Sequence, residues 1–393
     1  MRRIYFDTAA ATPVDRRVAR AMWRAGALVG NPASLHEEGV VAARALASAR
    51  ATVAACLDAQ PEEIIFTSGG TESNNLALRG VGGDGPIITT TIEHASVKLS
   101  AQELAARGTE VVCLGVDQNG LIDLAELARA LRPSTKLISL IYAHHEFGVI
   151  QPVREVMKLV RDHRAKHGVM TPYVHLDASQ AARHLDLSVA RLGVDLMTLG
   201  AGKFYGPRGI GLLYVRRGVP VVAEQLGGGQ ELGRRSGTEP VALAVGLARA
   251  LELARASRAG EAARLEKLGP IFAREVTSLP GVELVAATAP RVPHILNFLV
   301  EGVLAEQLVL ELDARGVAAS TGSACAIRTA EESYAIMALG RSSEVAKTAI
   351  RFSLDRTTTA RQLRAVSRQL AAVIGRLRKY QPQAYARDSF PAL

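Results

Sequence analysis

Cysteine is scarce in this 393-residue sequence: only Cys56, Cys113 and Cys325 occur. Three is too few, and an odd number, for a disulfide framework, so a reducing cytoplasm is the expected compartment. No stretch approaches 18 uninterrupted apolar residues, so no membrane span is expected. The opening MRRIYFDTAAATP carries two arginines but no apolar run of seven residues behind them, so no secretory signal is expected either. Repeats, low-complexity tracts and Pro/Gly/Ser-rich linkers are missing. GxxxxGK[ST] does not occur, and the GxGxxG of GVGGDG (80–85) precedes an expected strand instead of following one, so nucleotide binding has little sequence support. The nine histidines show no HExxH and the cysteines no paired CxxC, so no metal site is expected.

What is present is the composition of an ordinary globular enzyme, 48% hydrophobic and 22% charged, long enough for a large core. The net charge of +9 is unevenly placed. From Arg351 onward there are nine Lys/Arg and two Asp, a net of +7 in 43 residues. Arg361, Arg364 and Arg368 fall at helical spacing beside an apolar stripe. They read either as a solvated helix face or as a docking face for an acidic protein or nucleic acid, and charge alone leaves direct nucleic-acid binding open.

Short apolar runs alternate with helical patterns. Strands are expected at 62–67, 86–91, 137–143, 173–178, 195–200 and 209–215. A helix after Pro152, with Val153, Val156, Met157 and Val160 on one face, should stop at Gly168. Strand and helix in alternation predict an α/β domain with a large, mixed, mostly parallel sheet. The pattern changes near residue 255. A helix at about 256–278, a strand at 294–300, a helix at 303–315 and an amphipathic helix carrying Leu363, Val366, Leu370, Val373 and Leu377 predict a smaller α+β domain. The expected division is a large domain of residues 14–255 and a small one of residues 1–13 and 256–393.

Four places carry chemistry. Lys203, in LGAGKFYGPRGIG, follows a strand. A lysine there is either an exposed loop residue or an amine that desolvation keeps neutral for Schiff-base chemistry. Asp177 ends the strand of YVHLDASQ, placed to cap a turn or to hold a protonated ring nitrogen. In FTSGGTESNN, Gly69 and Gly70 lead from a strand into a helix, a plain capped turn or a phosphate cradle. Cys325 sits among small residues in STGSACA, an ordinary loop thiol or a mobile nucleophile. Cys56 and Cys113, in an apolar helix and an apolar strand, are expected in the core.

Taken in order, these segments resemble the cysteine desulfurases of the iron–sulfur assembly type. The resemblance runs from IYFDTAAATPVD to IRFSL, through NPASLH (31–36), FTSGGTESNNLA, IEH (92–94), HLDASQ, KFYGPRGIG, GGGQELGRRSGT (227–238) and GSAC. It implies a class-V aminotransferase-like enzyme of PLP fold type I (aspartate aminotransferase-like), a homodimer with pyridoxal 5'-phosphate (PLP) as cofactor and L-cysteine as substrate. It also implies a sulfur-acceptor protein as partner, with no membrane association.

By position, Lys203 resembles the lysine that binds the cofactor covalently and Asp177 the partner of its ring nitrogen. Gln180 resembles the contact to the ring hydroxyl, and His94 the histidine that stacks on the ring and relays protons. Gly70 and Thr71 resemble the phosphate ligands, joined by Thr238 from the other subunit. Arg351 resembles the arginine that grips the substrate carboxylate, and Cys325 the thiolate that takes the persulfide. A selenocysteine lyase, a cysteine/cystine β-lyase and a sulfur-carrier scaffold remain alternatives.

The sequence departs from the family pattern in three places. Gly200-Ala201-Gly202 stands where Ser-Gly-His is usual, removing a hydroxyl and an imidazole expected at the phosphate. His144-His145-Glu146-Phe147-Gly148 stands for Asn-Asn-Glu-x-Gly, which puts the imidazole of His145 beside the cofactor hydroxyl or substrate. Gln230 stands where histidine is common.

Overall fold

The computed structural model describes residues 3–83, 85–322 and 332–380. Strand β1 (Ile4–Tyr5) opens the fold. Strands β2 (Ile64–Thr67), β3 (Ile87–Thr90), β4 (Val111–Leu114), β5 (Leu137–Ile141), β6 (Tyr173–Asp177), β7 (Leu196–Gly200) and β8 (Gly211–Val215) form one sheet, in the order β2-β8-β7-β6-β5-β3-β4. Only β8 runs against its neighbours; the rest point one way. Strands β5, β6 and β8 are buried throughout, as their near-continuous apolar runs require of strands covered on both faces.

The expected α/β class with a mostly parallel sheet is what the chain adopts. The helix after Pro152 runs Val153–His167 and ends at Gly168, whose φ of 66° takes the left-handed conformation that terminates helices.

Strands β9 (Val282–Leu284), β10 (Ile295–Val300), β11 (Val317–Ala318) and β12 (Ala349–Ser353) follow. β10 lies between β9 and β12 in an antiparallel sheet, while β11 pairs in parallel with β1, Ile4 facing Val317. Here Phe6, Phe272, Phe298 and Phe352 pack edge to face, with ring centroids 5.4–6.4 Å apart, under Leu363, Val366, Leu370 and Val373 of the helix Ala360–Tyr380.

The helix expected to begin near 256 begins at Val241 and runs unbroken to Thr277. Residues 241–255, VALAVGLARALELAR, contain mainly strong helix formers, so nothing local interrupts it after Pro240. Its first half contributes Ala244, Leu247 and Leu251 to the core beneath the large sheet. Its second half contributes Leu265, Phe272 and Val276 to the core of the small one.

Helix Glu37–Leu57 is, among the described residues, long and apolar enough to cross a bilayer by length and composition. Here its stripe of Ala42, Leu46, Ala49, Val53 and Leu57 is buried and it packs on Val241–Thr277, while Arg50 pairs with the buried Glu231. Cys113 is exposed, contrary to the expectation for an apolar strand, because β4 is the edge of the sheet. Cys56 is half-buried, and burial pushes its thiol pKa up.

Candidate active site

The loops that follow the carboxyl ends of β2, β3, β5, β6 and β7 converge on a cavity of about 280 Å³, the place where open α/β sheets bind ligands. Lys203, Asp177, Gln180, His94, His145, Gly70, Thr71 and Arg351 all line it. Residues scattered across the chain thus meet at one end of one sheet.

Lys203 ends a short 3-10 turn, Ala201–Lys203, that caps β7. Its Nζ donates to the carbonyls of Ala9 (2.9 Å) and Ala10 (2.8 Å). Gln180 Nε2 donates to the same Ala9 carbonyl at 2.8 Å. The N-terminal segment therefore crosses the site directly. It is fastened to the small sheet by Thr8 Oγ1, which donates to the carbonyls of Ser353 and Leu354.

Asp177 ends β6 with its side chain buried. Its Oδ1 accepts from the backbone N–H of Ser179 (3.0 Å) and its Oδ2 from Asn74 Nδ2 (2.8 Å). The same amide nitrogen donates its other hydrogen to Ser96 Oγ (2.8 Å), and Ser96 Oγ lies 2.8 Å from His94 Nδ1. The backbone N–H of Ser96 also points at that nitrogen, at 3.2 Å. An N–H can only donate, so Nδ1 is an acceptor and the imidazole hydrogen sits on Nε2.

Burial pushes the His94 pKa down, with Lys203 acting in the same direction and Asp177 opposing. Asn74 and Ser96 are absent from the residues that the sequence singles out. Their only local signals are the polar run TESNN and a serine two positions after the histidine of IEH.

A donor to Nδ1 favours the neutral ring, so its removal makes His94 easier to protonate. Ser96→Ala is expected to move the acidic limb of the kcat/KM profile to higher pH and to slow turnover roughly fivefold, as for one lost neutral hydrogen bond. Ser96→Thr, which keeps the hydroxyl, should restore both. A pH profile that Ser96→Ala leaves in place refutes this link.

The two histidines of HHEFG divide their roles. His144 is fully buried, donates from Nε2 to the Ile92 carbonyl (2.9 Å) and accepts at Nδ1 from the backbone of Glu146 (3.1 Å). Its ring stacks on Phe147 with centroids 3.7 Å apart, and burial pushes its pKa down to about 3. It is a neutral turn-former.

His145 faces the cavity, its ring centroid 5.2 Å from that of His94. Its Nδ1 is buried and has no hydrogen-bond partner among the described residues, and burial pushes its pKa well down. Glu146 is buried behind them, its carboxyl pKa raised by desolvation, with Oε2 accepting from Ser333 Oγ at 2.6 Å.

Arg351, on β12, is 2% exposed and donates from Nη1 to the carbonyls of Gly322 (2.6 Å) and His145 (2.8 Å). Its Nη2 pairs with Asp7 at 2.8 Å. Its Nε is buried with no hydrogen-bond partner among the described residues. The guanidinium thus meets the cavity already carrying one carboxylate.

Thr238 is exposed and does not line the cavity. Gln230 accepts from the backbone N–H of Gly237 in the same loop. Cys325 lies outside the described residues.

The donor set fits pyridoxal phosphate. A buried carboxylate and a lysine line the same cavity. There the first turn of the helix Gly70–Gly82 offers N–H groups that lack intrahelical acceptors, beside glycines whose missing side chains leave room. The orphaned Nδ1 of His145 is a further group awaiting a polar partner.

Comparison with known proteins agrees with this geometry. The profile of the class-V aminotransferase family matches residues 4–366. The sequence is 38% identical over 388 residues to the cysteine desulfurase IscS of Neisseria gonorrhoeae, covering 96% of this chain and 94% of that one. Among solved structures it is similar to a NifS-like protein (TM-score 0.88, 33% identity, 95% and 99% of the two chains). It is also similar to SspA in complex with cysteine (TM-score 0.78, 31% identity, 89% and 98%).

Proposed function

Because the chain belongs to the class-V aminotransferase family and, within it, to the cysteine desulfurases, it is a PLP-dependent enzyme acting on L-cysteine, and we propose how its own residues divide that reaction. When bound, PLP supplies an electron-withdrawing ring that weakens the bonds at the substrate α-carbon. Lys203 would hold the cofactor, and its amine would be the base that takes the substrate α-proton. The Asp177 carboxylate keeps a proton at the ring nitrogen. His94 would lie against the ring, its Nε2–H donating a hydrogen bond within the site. Gln180 and His145 address the ring hydroxyl and the substrate.

Arg351 binds the substrate carboxylate, which exchanges with the carboxylate of Asp7 on the same guanidinium. Cys325 as thiolate attacks the substrate sulfur, leaving alanine and a persulfide that passes to an acceptor protein. Iron–sulfur clusters, thiolated tRNA and sulfur-modified DNA are the candidate destinations. The exposed Arg364 and Arg368 on helix Ala360–Tyr380 suit an acidic docking surface on the acceptor.

The observation that carries this reading is the convergence of Lys203, Asp177 and Arg351 on one cavity from three separate strands. The test is cysteine turnover by the purified protein, following alanine release with a reductant present. Wild type should produce alanine, and Cys325→Ala should lose the activity. A Cys325→Ala enzyme with full turnover identifies a lyase that needs no persulfide, and a wild type that makes no alanine overturns the reading.

We also propose that the working unit is a homodimer in a reducing cytoplasm. Trp23, Val29, Leu35 and Leu226 are 80–97% exposed, apolar surface of the kind a second copy covers, and the exposed Thr238 is placed to reach a neighbouring site.

A further inference from the structure

The phosphate end of the cavity has a feature that the departures at 200–202 bring into view. Gly200 and Gly202 carry no side chains, so neither a hydroxyl nor an imidazole reaches the phosphate from that turn. A Cβ placed on Gly200 would lie 3.4 Å from the backbone nitrogen of Gly70 and 3.8 Å from Ser179 Oγ. A Cβ placed on Gly70 would lie 3.2 Å from the same oxygen. The space a side chain at 200 would enter is therefore bounded by the first N–H of the helix Gly70–Gly82 and by the Ser179 hydroxyl. Ser179 lines the cavity, and its backbone N–H is anchored on Asp177 Oδ1 at 3.0 Å, which fixes where its side chain starts.

We propose that Ser179 Oγ is a phosphate ligand of this enzyme, supplying from the end of strand β6 the hydroxyl that Gly200 on strand β7 cannot. The inference rests on the PLP reading above and deepens it. A hydroxyl donating to a phosphate dianion makes a charge-assisted hydrogen bond, stronger than a neutral one, and here it acts beside the positive end of a helix dipole. Either position can present a hydroxyl to the same phosphate. With Ser179 present, a glycine at 200 leaves the phosphate room to approach the Gly70 N–H.

The test is titration of the apo-protein with PLP and, separately, with pyridoxal, which has the same ring and aldehyde but no phosphate. Binding is read by absorbance and fluorescence rather than by turnover. Ser179→Ala should weaken PLP roughly 10- to 100-fold, as for a hydrogen bond to a charged group, and leave pyridoxal within about twofold. Adding Gly200→Ser to Ser179→Ala should recover most of the PLP affinity.

Unchanged PLP affinity in Ser179→Ala overturns the inference. So does equal weakening of PLP and pyridoxal, which would mean that the ring site around Asp177 had moved. If the parent chain binds neither compound, the PLP reading itself fails, and the inference falls with it.

Discussion

Lys203→Ala is expected to abolish cysteine turnover, by at least roughly 10⁴-fold, together with the visible absorbance of the purified enzyme. The side chain has two duties that no neighbour can assume. It is the primary amine that meets the ring within the cavity, and it takes the α-proton afterwards. Histidines stand nearby, but His94 has Nδ1 committed to Ser96, and His144 and His145 are held neutral by burial.

The folded state should change little. In the wild type Nζ donates to the Ala9 and Ala10 carbonyls, and after truncation those acceptors open toward a cavity that water can enter. Thermal unfolding and circular dichroism of Lys203→Ala should therefore match the parent apo-protein. A variant that keeps its colour and makes alanine within tenfold of wild type would show that the amine used in catalysis is another one.

Asp177→Asn is the second large effect. An amide is isosteric, so the carboxylate's place in the sheet is kept, but it cannot balance a protonated ring nitrogen. Loss of one preorganised electrostatic partner in a buried site costs roughly 10²–10³-fold in kcat, and that is the decrease expected. KM for cysteine should move far less, because Arg351 and the substrate carboxylate are untouched.

The substitution also disturbs Asn74. Its Nδ2 now donates to Asp177 Oδ2 while the Ser179 N–H donates to Oδ1. An asparagine at 177 therefore sets its amide nitrogen against Ser179 when its oxygen turns to Asn74, and against Asn74 otherwise. If it turns toward Asn74, the Ser96–His94 link survives, but the negative charge that holds the His94 pKa up is lost. Asp177→Asn should thus lower the plateau and move the acidic limb to lower pH, the opposite direction to Ser96→Ala. A variant with wild-type kcat would show that the carboxylate is not the partner of the ring nitrogen.

Much of the site is legible in the sequence because its residues follow strands. Asp177 and Lys203 close the apolar runs of β6 and β7, Gly70 follows β2, and a mostly parallel sheet carries all such ends to one side. Asn74 and Ser96 are not legible. They belong to different helices, and only the packing of those helices side by side brings an amide nitrogen within 2.8 Å of both Asp177 and Ser96.

The difference between His144 and His145 is equally hidden. Adjacent imidazoles in one loop take opposite directions, one into the turn and one into the cavity, and no period of the sequence records that. Cys113 shows the converse. An apolar strand reads as core in isolation, but strand order decides which strand is the edge, and strand order is a property of the whole sheet. The start of the long helix is masked because the composition changes near residue 255 as it would at a boundary, whereas one helix carries both compositions.

The N-terminal strap has a consequence for how the enzyme comes into being. Ile4 pairs with Val317, and Thr8 and Asp7 are held by Ser353, Leu354 and Arg351, residues synthesised well after the strands of the large sheet. The large sheet can collapse while the chain is still being made, since its strands lie between residues 64 and 215. The carbonyls of Ala9 and Ala10 that hold Lys203 wait until residues 317–354 arrive to fasten them. Closing so long a loop is the slow, late event of such a topology. A segment made before the sheet thus finds its place after it, and the lysine gains its resting partners only once residues 317–354 have been made.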